Sequence, residues 1–369
     1  MGGQVLQSRG MFLTHVECRT FRRLSELSFD PVPGLNVLRG GNAQGKTTVL
    51  EAVLCAATSK SHRTTSDVEL VQRGTDGFRI KASAQRRDRM VDIETNFWRG
   101  AKRFKVNGVA QTRISDVLGH LNAVFFSPED LDLIKGGAAG RRRFLDMELS
   151  QICPAYLLAL QQYRQTLRQR NELLRGEAPD RDLLDVYDEQ LVRHGRAVME
   201  ERRAYLAELA PLAAEAYARI AGGESMTAAY CSDVKPGDDF ARVLAKSRDH
   251  DLRRGQTHRG PHRDEVELMV AGVAAREFGS QGQQKTAALA LRLAEHQLAW
   301  RRTGEWPVLM LDEVLAELDA RRARALFASI GPETQCLVTT TERTGPREGL
   351  FERAASFRIE EGRLEKEEE

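Results

Sequence analysis

Gly40-Gly41-Asn42-Ala43-Gln44-Gly45-Lys46-Thr47 fits the pattern G-x-x-x-x-G-K-[S/T] at every position. Glycines let a backbone curl so that successive N–H groups point at phosphate oxygens, and a helix start adds a field that favours negative charge. Lys46 is placed to reach terminal phosphates, and the Thr47 hydroxyl to ligate Mg²⁺. The context this pattern requires is present on both sides. Residues 34–39, GLNVLR, read as a short strand, and from Lys46 to Thr58 the apolar positions Val49, Val53, Leu54 and Ala57 recur at helical spacing. Strand, glycine loop and helix predict an α/β fold with a mixed sheet around a phosphate-loop helix. Gly40, Asn42, Gly45, Lys46, Thr47 and Thr48 are the expected nucleotide contacts.

The second half of such a site lies far downstream. Val308-Leu309-Met310-Leu311-Asp312-Glu313 is an apolar run ending in two carboxylates. The run reads as a buried parallel strand. Asp312, at its C-terminal edge, is placed to hold Mg²⁺ together with Thr47. Side chains alternate along a strand, so Glu313 is expected to point the other way and polarise an attacking water. Glu313 and Lys46 are the catalytic candidates. Between the two halves lies Phe278-Gly279-Ser280-Gln281-Gly282-Gln283, immediately before a helix. Ser280 can cap that helix and turn its N–H groups toward an anion; an ordinary capping turn is the competing explanation.

The rest of the chain supports a globular protein. Its 369 residues suffice for about two domains, and 41% apolar with 29% charged residues excludes wholesale disorder or a collagen-like chain. No window reaches the ~18 consecutive apolar residues of a membrane-spanning helix. Five cysteines, at positions 18, 55, 153, 231 and 336, form no C-x-x-C pair. They read as reduced thiols of a cytoplasmic protein.

Residues 12–21 alternate like a strand, 78–82, 90–97 and 102–106 look like further strands, and Asn107-Gly108 is a strong hairpin signal. Residues 122–126 form another apolar strand, followed by Ser127-Pro128-Glu129. From about 138 to 222 the texture becomes helical. Tyr156, Leu160, Tyr163, Leu167 and Leu174 form one seam, and Leu184, Tyr187, Leu191 and Val198 another, with a loop at 175–180 between them. Strand texture returns at 226–231 and 266–270. The expected organisation is a flexible extension over 1–10, the first ATPase part over 11–130, a mainly helical lobe over 131–254, the second ATPase part over 255–364, and an acidic tail over 365–369.

The formal charge is only +2, yet it is segregated: residues 86–105 carry seven bases against three acids, and the last ten residues carry six Glu against two bases. Lys102, Arg103 and the run Arg141-Arg142-Arg143 are candidate contacts to nucleic-acid phosphates, although such runs are commonly solvated faces. No helix-turn-helix, zinc-finger or OB signature is present.

Taken in order, the glycine loop, Ser280-x-Gly282-Gln283, Leu311-Asp312-Glu313 and Ala316-Glu317-Leu318-Asp319 resemble the motifs of ATP-binding-cassette ATPases. The helical insertion without long coiled-coil arms, Ser127-Pro-Glu-Asp-Leu131 and Thr257-His-Arg-Gly-Pro-His-Arg-Asp264 make the chain similar to the RecF family of bacterial recombination-repair ATPases, from about Met11 to Leu364. The resemblance implies an ABC-type ATPase head with an inserted helical lobe, and ATP with Mg²⁺ as cofactors. It implies an ATP-dependent homodimer in which Ser280, Gly282 and Gln283 of one copy meet the nucleotide of the other and Asp319 crosses the seam. Arg63 matches an arginine that related chromosome-maintenance ATPases place near the phosphates, with a surface arginine as the alternative; Arg22 or Arg23 could approach similarly. The implied partners are double-stranded or gapped DNA, RecR and RecO, in helping RecA load. The implied location is the nucleoid within the cytoplasm, with no membrane contact.

The chain also departs from the pattern. Ser127-Pro128-Glu129 stands where many cassettes have a glutamine, and Thr340-Thr341 where many have a switch histidine. Slow turnover is therefore expected, and stimulation by DNA is what the resemblance implies. The same departures, and the long insertion, count against the alternative of a transporter's ATPase subunit. Intact Lys46, Asp312 and Glu313 count against a scaffold that binds nucleotide without hydrolysing it. The His258/His262 pair is read as structural, because no third metal ligand is spaced for it.

Overall fold

A computed structural model describes residues 10–87, 89–341, 351 and 354–367. Most of the expected extension over 1–10, and the last two residues of the expected acidic tail, lie outside this range. The chain opens with strands β1 (Phe12–Phe21), β2 (Leu24–Phe29) and β3 (Leu35–Arg39), then helix α1 (Lys46–Thr58). Strands β4 (Gly77–Gln85), β5 (Met90–Trp98), β6 (Ala101–Val106), β7 (Val109–Gln111) and β8 (Ala123–Phe126) follow. Next come α2 (Leu131–Lys135), α3 (Ala138–Ile152), α4 (Pro154–Leu174), α5 (Arg181–Ala221), β9 (Met226–Cys231), α6 (Phe240–Arg254), β10 (Glu265–Val270), β11 (Val273–Ala274), α7 (Ala275–Phe278) and α8 (Gln281–Thr303). The chain then runs through β12 (Val308–Leu311), α9 (Val314–Glu317), α10 (Ala320–Ala328), β13 (Cys336–Thr340), β14 (Ala355–Glu360) and β15 (Arg363–Lys366).

The chain divides into two units. The first comprises residues 1–130, 219–222 and 289–369, and the second 131–218 and 223–288. The helical lobe was expected to end at 254, but the second unit continues to 288. The reason lies in pairing: β10 joins β9 and β11 in a three-stranded sheet of that unit, so the Thr257–Asp264 segment leading into β10 is drawn in with it.

In the first unit a six-stranded sheet of order β2-β1-β4-β5-β6-β7 lies on one side of α1, and a second, of order β15-β14-β3-β13-β12-β8, on the other. The first is antiparallel throughout, and its alternating sequences present one apolar face to the core. Its polar face is knitted by cross-strand ion pairs such as Arg79–Glu94 and Lys81–Asp92. Asn107 and Gly108, both at positive φ (50° and 78°), make the tight β6–β7 turn. In the second sheet β3, β13, β12 and β8 pair in parallel. Val308–Leu311 and Ala123–Phe126 are buried at every position, which is why they read as unbroken apolar runs. Between the sheets α1 is buried along nearly its whole length, with Val49, Val53, Leu54 and Ala57 in one continuous core.

The second unit is held by polar groups as much as by its seams. Arg170, fully buried, donates to Asp188 at 2.6 Å and Asp251 at 2.9 Å. Arg202 donates to Asp146 at 2.6 Å and Asp264 at 2.9 Å. Burying charges is tolerated only when they are paired and hydrogen-bonded, as these are. The Thr257–Asp264 motif is spent largely on this network: Thr257 accepts from Arg170 at 2.8 Å, and the Asp264 carboxylate accepts from Arg202, Tyr230 and the Asp233 amide.

Candidate functional site

The phosphate loop joins β3 to α1. Gly45, at φ 110°, occupies a backbone region costly to residues with a Cβ, and a Cβ at Gly40 would come within 2.4 Å of the Ile359 carbonyl oxygen. These two positions explain why the pattern needs glycine at each end. Lys46, only 3% exposed, donates from Nζ to the Gly40 and Gly41 carbonyl oxygens at 2.9 Å each. Burial lowers the Lys46 pKa, opposed by the nearby Glu313 and Asp312 carboxylates.

Thr47 and Asp312, far apart in sequence, meet here. The Thr47 hydroxyl lies 2.9 and 2.8 Å from the two Asp312 carboxylate oxygens. Burial raises the Asp312 pKa, opposed by hydrogen bonds from Thr339 and Thr47. A hydroxyl and a carboxylate converging as hard oxygen donors fit Mg²⁺, which prefers such ligands. Glu313 corrects the expectation from strand alternation. It takes φ 49°, in the left-handed region, so the alternation ends at Asp312. Its carboxylate comes to 3.8 Å from Lys46 Nζ and so stands on the same pocket as the loop.

That pocket, a cavity of about 520 Å³, is lined by Arg22, Arg23, Asn42, Lys46, Thr47 and Arg63, with Gly45, Thr48, Ala43 and Glu313 completing it. Its lining carries four cationic side chains against one carboxylate, a balance suited to a polyphosphate. Sequence reasoning missed what moors these arginines. Glu51 of α1, fully buried, accepts from Arg22 Nε at 3.1 Å and Nη2 at 2.8 Å, and from the Ser61 hydroxyl. Ser61 Oγ in turn accepts the Arg63 N–H at 2.9 Å. The available signal was a lone carboxylate within the otherwise apolar stretch from Val49 to Ala57. Thr339 was missed too, although it bonds both Asp312 and Glu313.

Ser280, Gly282 and Gln283 belong to the second unit, whereas every residue lining the pocket belongs to the first. Ser280 is exposed and forms a reciprocal cap with Gln283: its Oγ accepts the Gln283 N–H at 3.2 Å, and Gln283 Oε1 accepts the Ser280 N–H at 2.9 Å. Gly282 carries the carbonyl that accepts from Thr286 at 2.8 Å. Asp319 caps α10, accepting the Arg322 N–H at 2.8 Å, and that bond lowers its pKa.

The candidate nucleic-acid contacts separate sharply. Arg141 is 6% exposed and grips Glu265 at 2.7 and 2.8 Å; Arg142 donates to the Asp264 carbonyl at 2.7 Å. Lys102 donates to the Ser59 carbonyl at 2.8 Å and to Asp67 at 2.6 Å. Arg141 is thus buried and spent on Glu265, which corrects its reading as a phosphate contact, whereas Arg142 and Lys102 are half-buried and bonded within the fold. Arg103 and Arg143 are exposed. The histidine pair also needs correction. His262 bonds Tyr163 and the Thr257 carbonyl, whereas His258 gathers with His250 and Asp251. Two further groups thus lie close to His258, but Asp251 already accepts from Arg170, Ser247 and the His258 amide, so its oxygens are committed to the fold.

A phosphate loop, a carboxylate pair closing a parallel strand and a Ser-x-Gly-Gln helix start, on two sheets with a helical insertion, define an ATPase head of the ATP-binding-cassette class. Residues 12–357 match the RecF/RecN/SMC N terminal domain family. The DNA replication and repair protein RecF of Lactobacillus delbrueckii subsp. bulgaricus is 40% identical, over 97% of this chain and 98% of its own length. That of Geobacillus thermodenitrificans is 39% identical, over 95% and 98%. A solved structure of the recombination mediator protein RecF with ATP, in the RecFOR pathway, is 31% identical, with a TM-score of 0.89 covering both chains fully. A Smc head from Pyrococcus furiosus, 15% identical with a TM-score of 0.57, covers 97% of this chain and 96% of its own and shares the fold. The chain belongs to the RecF family.

Proposed function

We propose that this chain is a slow, Mg²⁺-dependent and DNA-stimulated ATPase of recombinational repair, whose ATP-bound form is a homodimer on double-stranded or gapped DNA. The observation that carries the reading is the convergence of Lys46, Thr47, Asp312 and Glu313, from opposite ends of the chain, on one cationic pocket. The family's solved ATP complex and its place in the RecFOR pathway support ATP as the nucleotide, RecO and RecR as partners, and a role in RecA loading. Action at the nucleoid in the cytoplasm follows from that role.

The loop amides and Lys46 would hold the phosphate oxygens, with Arg63 and Arg22 adding charge at the pocket rim. Thr47 and Asp312 would hold Mg²⁺, which supplies Lewis acidity toward phosphate oxygens when bound. Glu313 would accept the proton of a water whose oxygen attacks the terminal phosphorus; the bond to the bridging oxygen breaks, giving ADP and phosphate. Ser280, Gly282 and Gln283 would serve the nucleotide of a second copy, with Asp319 at the seam. Arg103 and Arg143, both exposed, would be the first of the basic side chains to meet DNA phosphates. The test is steady-state ATP turnover with and without duplex DNA: the reading expects slow basal hydrolysis raised by DNA. Turnover indifferent to DNA at low salt would contradict it.

A further inference from the structure

We propose that Thr339 is a positioning residue that locks Asp312 and Glu313 into one arrangement through a single hydroxyl; the inference rests on the ATPase reading above. Thr339 is fully buried near the end of β13, the parallel neighbour of β12, one residue beyond the Leu311–Val338 pair. Its Oγ1 donates to Asp312 Oδ1 at 2.7 Å and accepts the Glu313 N–H at 2.9 Å. A hydroxyl has one proton to give and lone pairs to receive, so it can make both bonds at once. No apolar side chain of the same shape can make either.

The two bonds act on different parts of the site. The first fixes the carboxylate that Thr47 also holds, so Asp312 keeps its orientation toward the start of α1. The second anchors Glu313 where its backbone takes φ 49°, a conformation that persists in a residue with a side chain only when its surroundings impose it. That turn sets Glu313 on the pocket beside Lys46. Thr339 does not itself line the pocket, and it stands just before the Thr340-Thr341 pair that occupies the switch-histidine position. Its hydroxyl therefore acts through the two carboxylates.

The test compares Thr339→Val, nearly isosteric, with Thr339→Ser, which keeps the hydroxyl, in the full-length chain. Hydrogen exchange without nucleotide should show the Glu313 amide exchanging roughly tenfold faster in the valine variant, as expected for loss of one buried hydrogen bond, and at the wild-type rate in the serine variant. With ATP, kcat should fall about tenfold in the valine variant with KM within about threefold, and half-activation should need more Mg²⁺, the pattern of a lost outer-shell partner. Serine should restore both. If Thr339→Val does not fold, Thr339→Ala replaces it in the same comparison. Wild-type exchange and kcat in a variant lacking the hydroxyl, or a serine variant as impaired as valine, would overturn the proposal. So would a loss of ATP binding in step with kcat. Should the wild-type chain hydrolyse no ATP, the ATPase reading falls, and the exchange experiment alone still decides for or against Thr339.

Discussion

Replacing Glu51 by alanine removes the carboxylate on which two arginine-bearing segments are moored. Glu51 is fully buried, Arg22 is 23% exposed, and the two make a bidentate pair, at 3.1 and 2.8 Å, that also receives the Ser61 hydroxyl. Deleting one partner of a buried pair costs about 3–5 kcal/mol, because the remaining charge stays desolvated without its counter-charge. Water can still reach Arg22 at its exposed edge, which puts Glu51→Ala at the lower end, about 3 kcal/mol. Glu51→Gln keeps the shape and one acceptor and should cost about half as much. Urea unfolding followed by circular dichroism reads both values. Nucleotide affinity supplies a second reading: Ser61 also holds the Arg63 amide, so both Arg22 and Arg63 lose their anchor at the pocket. Affinity should fall about tenfold, equivalent to 1.4 kcal/mol. A Glu51→Ala protein within about 0.5 kcal/mol of wild type, the range of an unremarkable surface substitution, would refute the reasoning.

Lys46→Ala should abolish tight ATP binding in calorimetry while leaving the melting temperature within a few degrees; unchanged affinity would remove Lys46 from the site. His296 is buried and stacked on Trp306, its Nε2 bonded to the Pro307 carbonyl, and burial lowers its pKa to about 4. Its unfolded value is higher, so between about pH 6.5 and 4 the unfolded chain takes up a proton that the folded chain refuses. Stability should fall across that window by up to about 3 kcal/mol from this group. His296→Gln should flatten the urea-midpoint profile there, and parallel profiles would contradict the assignment. Arg103→Glu with Arg143→Glu should weaken duplex binding and reduce its salt slope. Arg141→Glu should instead destabilise the second unit, because it removes the buried guanidinium that pairs with the partly exposed Glu265 and sets a second carboxylate beside it; a folded Arg141→Glu protein that loses only DNA binding would reverse that assignment.

What the sequence reveals and what it hides divides along the range of the interactions. The glycine loop, the Asn107-Gly108 turn and the apolar runs at 123–126 and 308–311 are local patterns, and each forms the expected element. Asp312 and Thr47 are legible as a pair only because each carries its own local motif. Glu51 and Thr339 have no such motif: their roles come from partners that folding brings in, Arg22 from an adjoining strand turn and Asp312 from a parallel neighbour. Arg141 was misread for the same reason. A run of three arginines shows charge, but not the Glu265 carboxylate, 124 residues away, that absorbs the first of them. Glu313 shows the limit of periodicity, since a left-handed turn begins where the strand ends.

The proposed dimer holds its nucleotide jointly between two copies of the chain, and sizing Glu313→Gln by light scattering tests this most directly. In Mg²⁺ and ATP the variant should run at twice the monomer mass and stay there, because binding survives while hydrolysis is slowed; with ADP or no nucleotide it should run as a monomer. Adding Ser280→Arg should keep ATP bound and return the mass to that of one chain. A single-chain mass at saturating ATP, or a double mass that Ser280→Arg leaves intact, would contradict the shared site.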